Sequence, residues 1–252
     1  MDAIKFTLSG RTAFFKKPDV NTYYYFTYGN IHKIALMGIL GAVNGYSGYN
    51  QQKNHGKMVY PEFYEKLKNI KIGIVPLSKN GYFPKKVQTF NNSVGYASKE
   101  QGGNLIVKEQ WLEGPKWDIY ILVQGDVEEE LKDRLLNFRF KYIPYLGKND
   151  HLADITNVEI IKDVKKADKF NKVDSFFMKK YFKLSQNNDE FEDEFDNEEY
   201  VELCKYQEMF PVTLEEETNK YNLETFVFTN WDVESLKDTP TYECNDKIIY
   251  FF

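Results

Sequence analysis

Residues 80–111 interleave cations, rings and amides. Lys85, Lys86, Lys99 and Lys108 stand among Tyr82, Phe83, Phe90, Tyr96 and Trp111, with Asn91, Asn92, Gln101, Asn104 and Gln110 between them. Recognition of an unpaired nucleic-acid strand calls for this combination: ammonium groups follow phosphates, ring faces stack on bases, and amides read base edges. Gly102 and Gly103 would let the backbone approach a ligand closely. Arg11, Lys16, Lys17 and Lys33 extend the basic character towards the N-terminus. A surface hairpin whose rings pack on the body would carry the same pattern, and composition does not separate the two readings.

Other chemistries find little support. His32, His55 and His151 are scattered without HExxH or HxH spacing, and Cys204 and Cys244 form no CxxC, so neither a metal site nor a disulfide framework is expected. A GxSxG elbow, a P-loop and a Rossmann fingerprint are all missing, and no cofactor is implied. Gly45-Tyr46-Ser47-Gly48 matches the GxxG of KH domains superficially, but its surroundings suit a helix-ending turn. The RRM signature octamer is missing as well, so RNA need not lie on a sheet face.

Charge is distributed unevenly. The 252 residues carry 33 Lys and Arg against 38 Asp and Glu, a net of −5. Residues 1–185 hold 29 bases and 19 acids, a net of +10, whereas residues 186–252 hold 4 and 19, a net of −15. Such asymmetry suits a chain that binds a polyanion with one part only. Arginine is confined to Arg11, Arg134 and Arg139, and lysine, a hydrated point charge, favours phosphate tracking over base reading. The longest uncharged apolar run, Ile34 to Val43, is 10 residues, half of what a membrane span needs. With no signal-peptide pattern at Met1 to Phe6, a soluble, reduced, cytoplasmic protein without membrane contact is expected.

Elements that would position these residues follow from periodicity. Ile4, Phe6 and Leu8 alternate as a strand, and Asn30 would cap an apolar helix from Ile31 to about Val43. Gly38, Gly41 and Gly45 on that helix suggest close packing on a sheet. A short helix opened by Pro61 and a strand through Ile70, Ile72 and Ile74 come next. Lys85 to Phe90 and Asn104 to Trp111 read as the arms of an extended hairpin, too polar at its tip to be core. A strand from Trp117 to Val123, a helix from Asp126 to Leu136 and a strand from Ala153 to Ile161 complete the pattern. The expected class is α+β: a ferredoxin-like βαββαβ body over residues 1–165, with a thumb hairpin at about 80–115. Residues 166–252 read as a β-rich extension with strands at Leu223 to Trp231 and Ile248 to Phe252, and an acidic insert at about 186–202.

Several stretches resemble the Cas-five family of CRISPR-associated proteins, of the RAMP superfamily, in its type I-B form. They are IKFTLSGRTAFFKKPDVN from Ile4, YGNIHKIALMGILGAVNG from Tyr28, FPKKVQTFNNSVGYASKEQGGNLIVKEQWLEGP from Phe83 and PYLGKNDHLADI from Pro144. The resemblance implies a subunit of the Cascade complex that caps the 5′ handle of the guide RNA. It further implies contacts with the backbone (Cas-seven) and large (Cas-eight) subunits, and with target DNA indirectly. By that analogy Lys85, Lys86, Lys99 and Lys108 neutralise phosphates, Tyr96 and Trp111 stack, and Asn91, Asn92 and Gln101 hold splayed bases. The type I-C branch instead cuts precursor RNA without metal through a tyrosine, a lysine and a histidine. Tyr46, Lys33 and His32, or His151 with Lys148, would be the candidates, although no adjacent Lys-His pair follows the thumb. The expectation is therefore a subunit without catalysis.

Overall fold

The structure, a computed structural model, describes residues 1–19, 23–55, 59–185 and 203–252, with the side chains of 53–55 excepted. The acidic insert expected at 186–202 and the side chain of His55 lie outside the described residues.

Alternation of Ile4, Phe6 and Leu8 with Ala3, Lys5 and Thr7 places β1 (Asp2–Ser9) at the middle of a sheet. After it come β2 (Thr12–Ala13), α1 (Lys33–Asn44), α2 (Glu62–Leu67) and β3 (Ile72–Pro76). Next are the hairpin strands β4 (Lys85–Asn91) and β5 (Ile106–Glu113), then β6 (Lys116–Val123), α3 (Asp126–Leu136) and β7 (Asp154–Ile161). Four strands form one sheet in the order β3-β6-β1-β7, with every neighbouring pair antiparallel.

Both faces of this sheet are covered. Ile4, Phe6, Leu8, Ile74, Trp117 and Ile119 share a core with Leu36, Met37 and Leu40 of α1 and Leu131 and Leu135 of α3. The alternate residues Ala3, Tyr120, Leu122 and Ile161 pack instead with Cys244, Ile249 and Phe251. Each large side chain buried this way contributes about 1.5–3 kcal/mol. A polar seam interrupts the second face: Thr7 donates to Asp118 at 2.7 Å and Lys5 to Glu159 at 2.7 Å.

The C-terminal strands are β8 (Lys165–Lys166), β9 (Phe177–Met178), β10 (Phe182–Ser185), β11 (Lys205–Leu214), β12 (Tyr221–Thr229), β13 (Asp232–Ser235), β14 (Thr241–Cys244) and β15 (Lys247–Tyr250). They form small antiparallel sheets, β11-β12-β9, β15-β14-β8 and β10-β13. Phe176, Phe177, Phe210, Phe226 and Phe252 join the same core as the helices. Phe252 and Ile72 exchange backbone hydrogen bonds of 3.1 and 3.2 Å, tying the end of the chain to β3.

The first helix differs from expectation at its start. Its cap is His32, whose Nδ1 accepts from the Ala35 N–H at 3.2 Å. Asn30 is buried and occupied elsewhere: it accepts from Trp117 Nε1 at 2.9 Å and donates to the Gly81 carbonyl at 3.0 Å. The glycines are not a sheet-packing face either. A Cβ at Gly41 would lie 2.7 Å from Phe63 Cβ on α2, one at Gly38 would meet nothing within 4 Å, and Gly45 ends the helix at φ 84°.

Candidate nucleic-acid interface

The hairpin has two distinguishable faces, set by register. Lys85 pairs with Leu112, Thr89 with Lys108 and Asn91 with Ile106, so Lys85, Asn91 and Lys108 share one face. Lys86 pairs with Trp111 and Phe90 with Val107, and these, with Glu109, share the other. The first face is exposed from Val87 outward, at Val87, Thr89, Asn91, Ile106 and Lys108, whereas on the second Phe90 is half-buried and Val107 and Glu109 are buried; Val94 and Leu105 near the tip face solvent. At the tip Asn91 Oδ1 accepts from the Ser93 N–H at 2.9 Å, while Asn92, Lys99 and Gln101 are exposed. Tyr96, 77% exposed, presents an open ring there.

Where the ribbon meets the body it is anchored along the β5 edge, in the order β2-β5-β4. β2 pairs with β5 through Thr12 and Ala13, and Tyr25 forms a parallel bridge to Glu109. Glu109 is buried and receives Lys148 Nζ at 3.0 Å and Trp111 Nε1 at 2.8 Å. The Lys148 ammonium also lies 5.7 Å from the Phe14 ring and 5.4 Å from the Phe90 ring. Trp111 turns its ring edge-on to His151, 4.5 Å between centroids, so it is a packed anchor rather than a free stacking face. His151 Nδ1 meets Thr12 Oγ1 at 2.7 Å, while its Nε2 is buried without a hydrogen-bond partner. Burial, then the Lys148 charge, lowers its pKa.

Beside this anchor a cleft of about 1010 Å³ opens over α1. Ala35, Gly38 and Ala42 line one wall; Tyr25, Tyr46, Tyr49, Tyr142 and Tyr145, with Lys16 and Lys148, line the others. Small residues on the helix leave room for flat groups, and the rings supply faces for them. Sequence reasoning missed most of these tyrosines. Their signal was the runs Tyr23-Tyr24-Tyr25 and Tyr142-Ile143-Pro144-Tyr145, in which Tyr23, Tyr142, Ile143 and Tyr145 are exposed.

The remaining candidates disperse. Arg11 is exposed in the turn after β1, and Lys16 Nζ lies 4.2 Å from the Tyr25 ring at the cleft. Lys17 is drawn into an ion pair with Glu208 at 2.6 Å, and Lys86 pairs with Glu113 at 3.3 Å. Lys85 is partly buried, and burial lowers its pKa. Tyr46 and His32 line the cleft, but Lys33 opens into a different pocket, so these three do not converge. His32 is buried, its pKa lowered to about 3 by desolvation. The Tyr46 hydroxyl accepts from Asn44 at 3.2 Å, and burial raises its pKa. Among the described residues no group of three His, Cys, Asp or Glu side chains could hold a metal ion, and no helix is long and apolar enough to cross a membrane.

Fold and site thus define a mixed α+β chain, mostly of antiparallel sheets, that carries an exposed basic and aromatic ribbon. No family model and no curated protein matches it. Among solved structures it is similar to a chain described as a CRISPR RNA-guided surveillance complex, with a TM-score of 0.52 and 11% identity over 92% of this chain and 91% of that one. It is also similar to a CRISPR protein from Archaeoglobus fulgidus, TM-score 0.49 and 12% identity over 99% of this chain and 98% of that one. A chain of a type III-B Cmr-beta complex bound to cognate target RNA and AMPPnP gives a TM-score of 0.46 and 8% identity, covering 92% and 86%. At 11% identity, the first likeness is one of fold.

Proposed function

We propose that the chain is a non-catalytic, guide-RNA-binding subunit of a CRISPR surveillance complex, of the Cas-five, type I-B kind, and that its hairpin grips the 5′ handle of the guide. The observation carrying this reading is the β4–β5 ribbon: anchored at its base along the β5 edge, exposed on the face of Val87, Thr89, Asn91, Ile106 and Lys108 and at its tip, and bearing lysines on both faces. A two-stranded ribbon with exposed Val94, Leu105 and Ile106 gains little stability by itself, so its apolar and basic surface is suited to a partner. The shared fold with a surveillance-complex chain supports the same class. The strand order β3-β6-β1-β7 supports a ferredoxin-like RAMP body over residues 1–165, with residues 166–252 as its extension.

In this reading Lys85 and Lys108 follow the phosphates along one face and Lys86 approaches from the other. Lys99, Gln101, Asn91 and Asn92 hold nucleotides at the tip, and a base stacked on Tyr96 adds about 1–3 kcal/mol. The backbone and large subunits take up the remaining exposed surface, and target DNA is met only through them. Guide RNA bearing the handle should bind more tightly than the same RNA without it. With four phosphates neutralised, log K should fall with log salt at a slope of about −2.8. Equal binding of both RNAs, or a flat salt response, contradicts the proposal.

His32, neutral at physiological pH and engaged as a helix cap, supports the absence of catalysis, because a general base must titrate near the working pH. One observation favours the alternative of a metal-independent endoribonuclease: the buried, unpartnered Nε2 of His151, within the electrostatic reach of Lys148. Incubating a repeat hairpin in chelator separates the readings. Intact RNA supports the binding subunit, and cleavage lost in His151→Ala supports the nuclease.

A further inference from the structure

Lys33 turns away from the cleft that its neighbours His32, Ile34 and Ala35 line, into a second pocket of about 340 Å³. That pocket opens between the start of α1, Lys71 just before β3, and the C-terminal strands. Lys33, Lys71 and Lys237 share its walls with Tyr181, Tyr250 and Phe252. Lys33 is only 6% exposed, and its ammonium makes no hydrogen bond or ion pair among the described residues. It lies 5.8 Å from the Phe252 ring, and the Lys237 ammonium lies 3.8 Å from the Tyr181 ring. Asp238 supplies the carboxylate among the lining side chains, but it is 81% exposed and paired with Lys166.

Three like charges thus face a half-enclosed space, the most buried of them on the first residue of a helix, where the macrodipole is also positive. Burial of an ammonium without an anion is unfavourable, and repulsion between neighbours adds to it. Burial and the Lys71 charge lower the Lys33 pKa to about 8, which leaves it cationic at neutral pH. A dianionic group entering the pocket would relieve both penalties at once. The rings suit a flat group beside that anion, and the volume falls within the range of small-ligand pockets.

We propose that this pocket is a nucleotide site, in which Lys33, Lys71 and Lys237 hold a terminal phosphate and the aromatic side chains flank the base. The phosphate belongs either to a free mononucleotide or to the 5′-phosphorylated end of an RNA. Calorimetric titration of the full chain with AMP, inorganic phosphate, adenosine and a short 5′-phosphorylated oligoribonucleotide tests it. AMP should bind, adenosine should not, and Lys71→Met and Lys237→Met should each weaken AMP by about tenfold, as loss of a charge-assisted contact does. AMP binding without the oligonucleotide assigns the site to free nucleotide; binding of both assigns it to RNA ends as well. AMP no better than adenosine, or equal affinity in both variants, overturns the proposal. So does a Lys33 side-chain nitrogen resonance that AMP leaves unmoved.

Discussion

His32 caps α1 through Nδ1 while its ring lies among those of Phe15, Tyr28 and Tyr221. Because burial lowers its pKa from 6.5 to about 3, the unfolded chain takes up the proton first as pH falls. Its contribution to stability is therefore complete above the unfolded value and is lost below it, at about 1.4 kcal/mol per pH unit. His32→Asn keeps a capping acceptor but removes this titration. Urea unfolding between pH 6.5 and about 5 should then show a slope flatter by about 1.4 kcal/mol per unit than that of the parent. An unchanged slope would place the ring in water. The glycines of α1 make a second residue-scale test. Gly38→Ala should stabilise the helix by about 1 kcal/mol, since its Cβ meets nothing, whereas Gly41→Ala should destabilise because Phe63 stands in the way. Equal effects in thermal denaturation would refute that assignment. None of this was legible in the residues alone. Asn30 is the better capping type by composition, and only the fold shows its amide already committed to Trp117 and Gly81.

At the scale of elements, strong periodicity was readable. β1, β3, β6, α3 and β7 fall where alternation and helix-start chemistry put them, because those segments have one apolar and one polar or second-layer face. β11 was not readable. Pro211 interrupts it in mid-strand, and the ladder to β12 accommodates it by a register shift between Pro211 and Thr213. β2, β8 and β9 are two residues each, below any periodicity. The hairpin arms were legible, but their faces depend on a register that sequence does not fix. Its autonomy yields a prediction at this scale. Replacing residues 93–104 with a two-residue Asn-Gly turn should leave the melting temperature within about 2 °C, because Val94, Tyr96 and Leu105 are exposed. Binding of handle RNA should fall sharply. A cooperative loss of the whole fold would mean that the tip supports the core.

For the whole molecule, the excess of base in residues 1–185 gains meaning from where its lysines end up. Lys5, Lys17 and Lys148 are ion-paired within the chain and Lys86 meets the half-exposed Glu113, while Lys99 and Lys108 lie exposed along the ribbon. Net charge alone could not separate these groups. Nor could composition show that the C-terminal strands share the central core, since that packing joins residues far apart in sequence, as Phe252 and Ile72 do. The central claim is that the ribbon holds the leading nucleotides of the guide. Photocrosslinking of the assembled complex, with a reactive base placed in the 5′ handle, tests it most directly. Crosslinked peptides should map to residues 85–111, with Tyr96 the foremost site and loss of the adduct in Tyr96→Ala. Adducts confined to residues 203–252, with the ribbon unlabelled, would contradict the account.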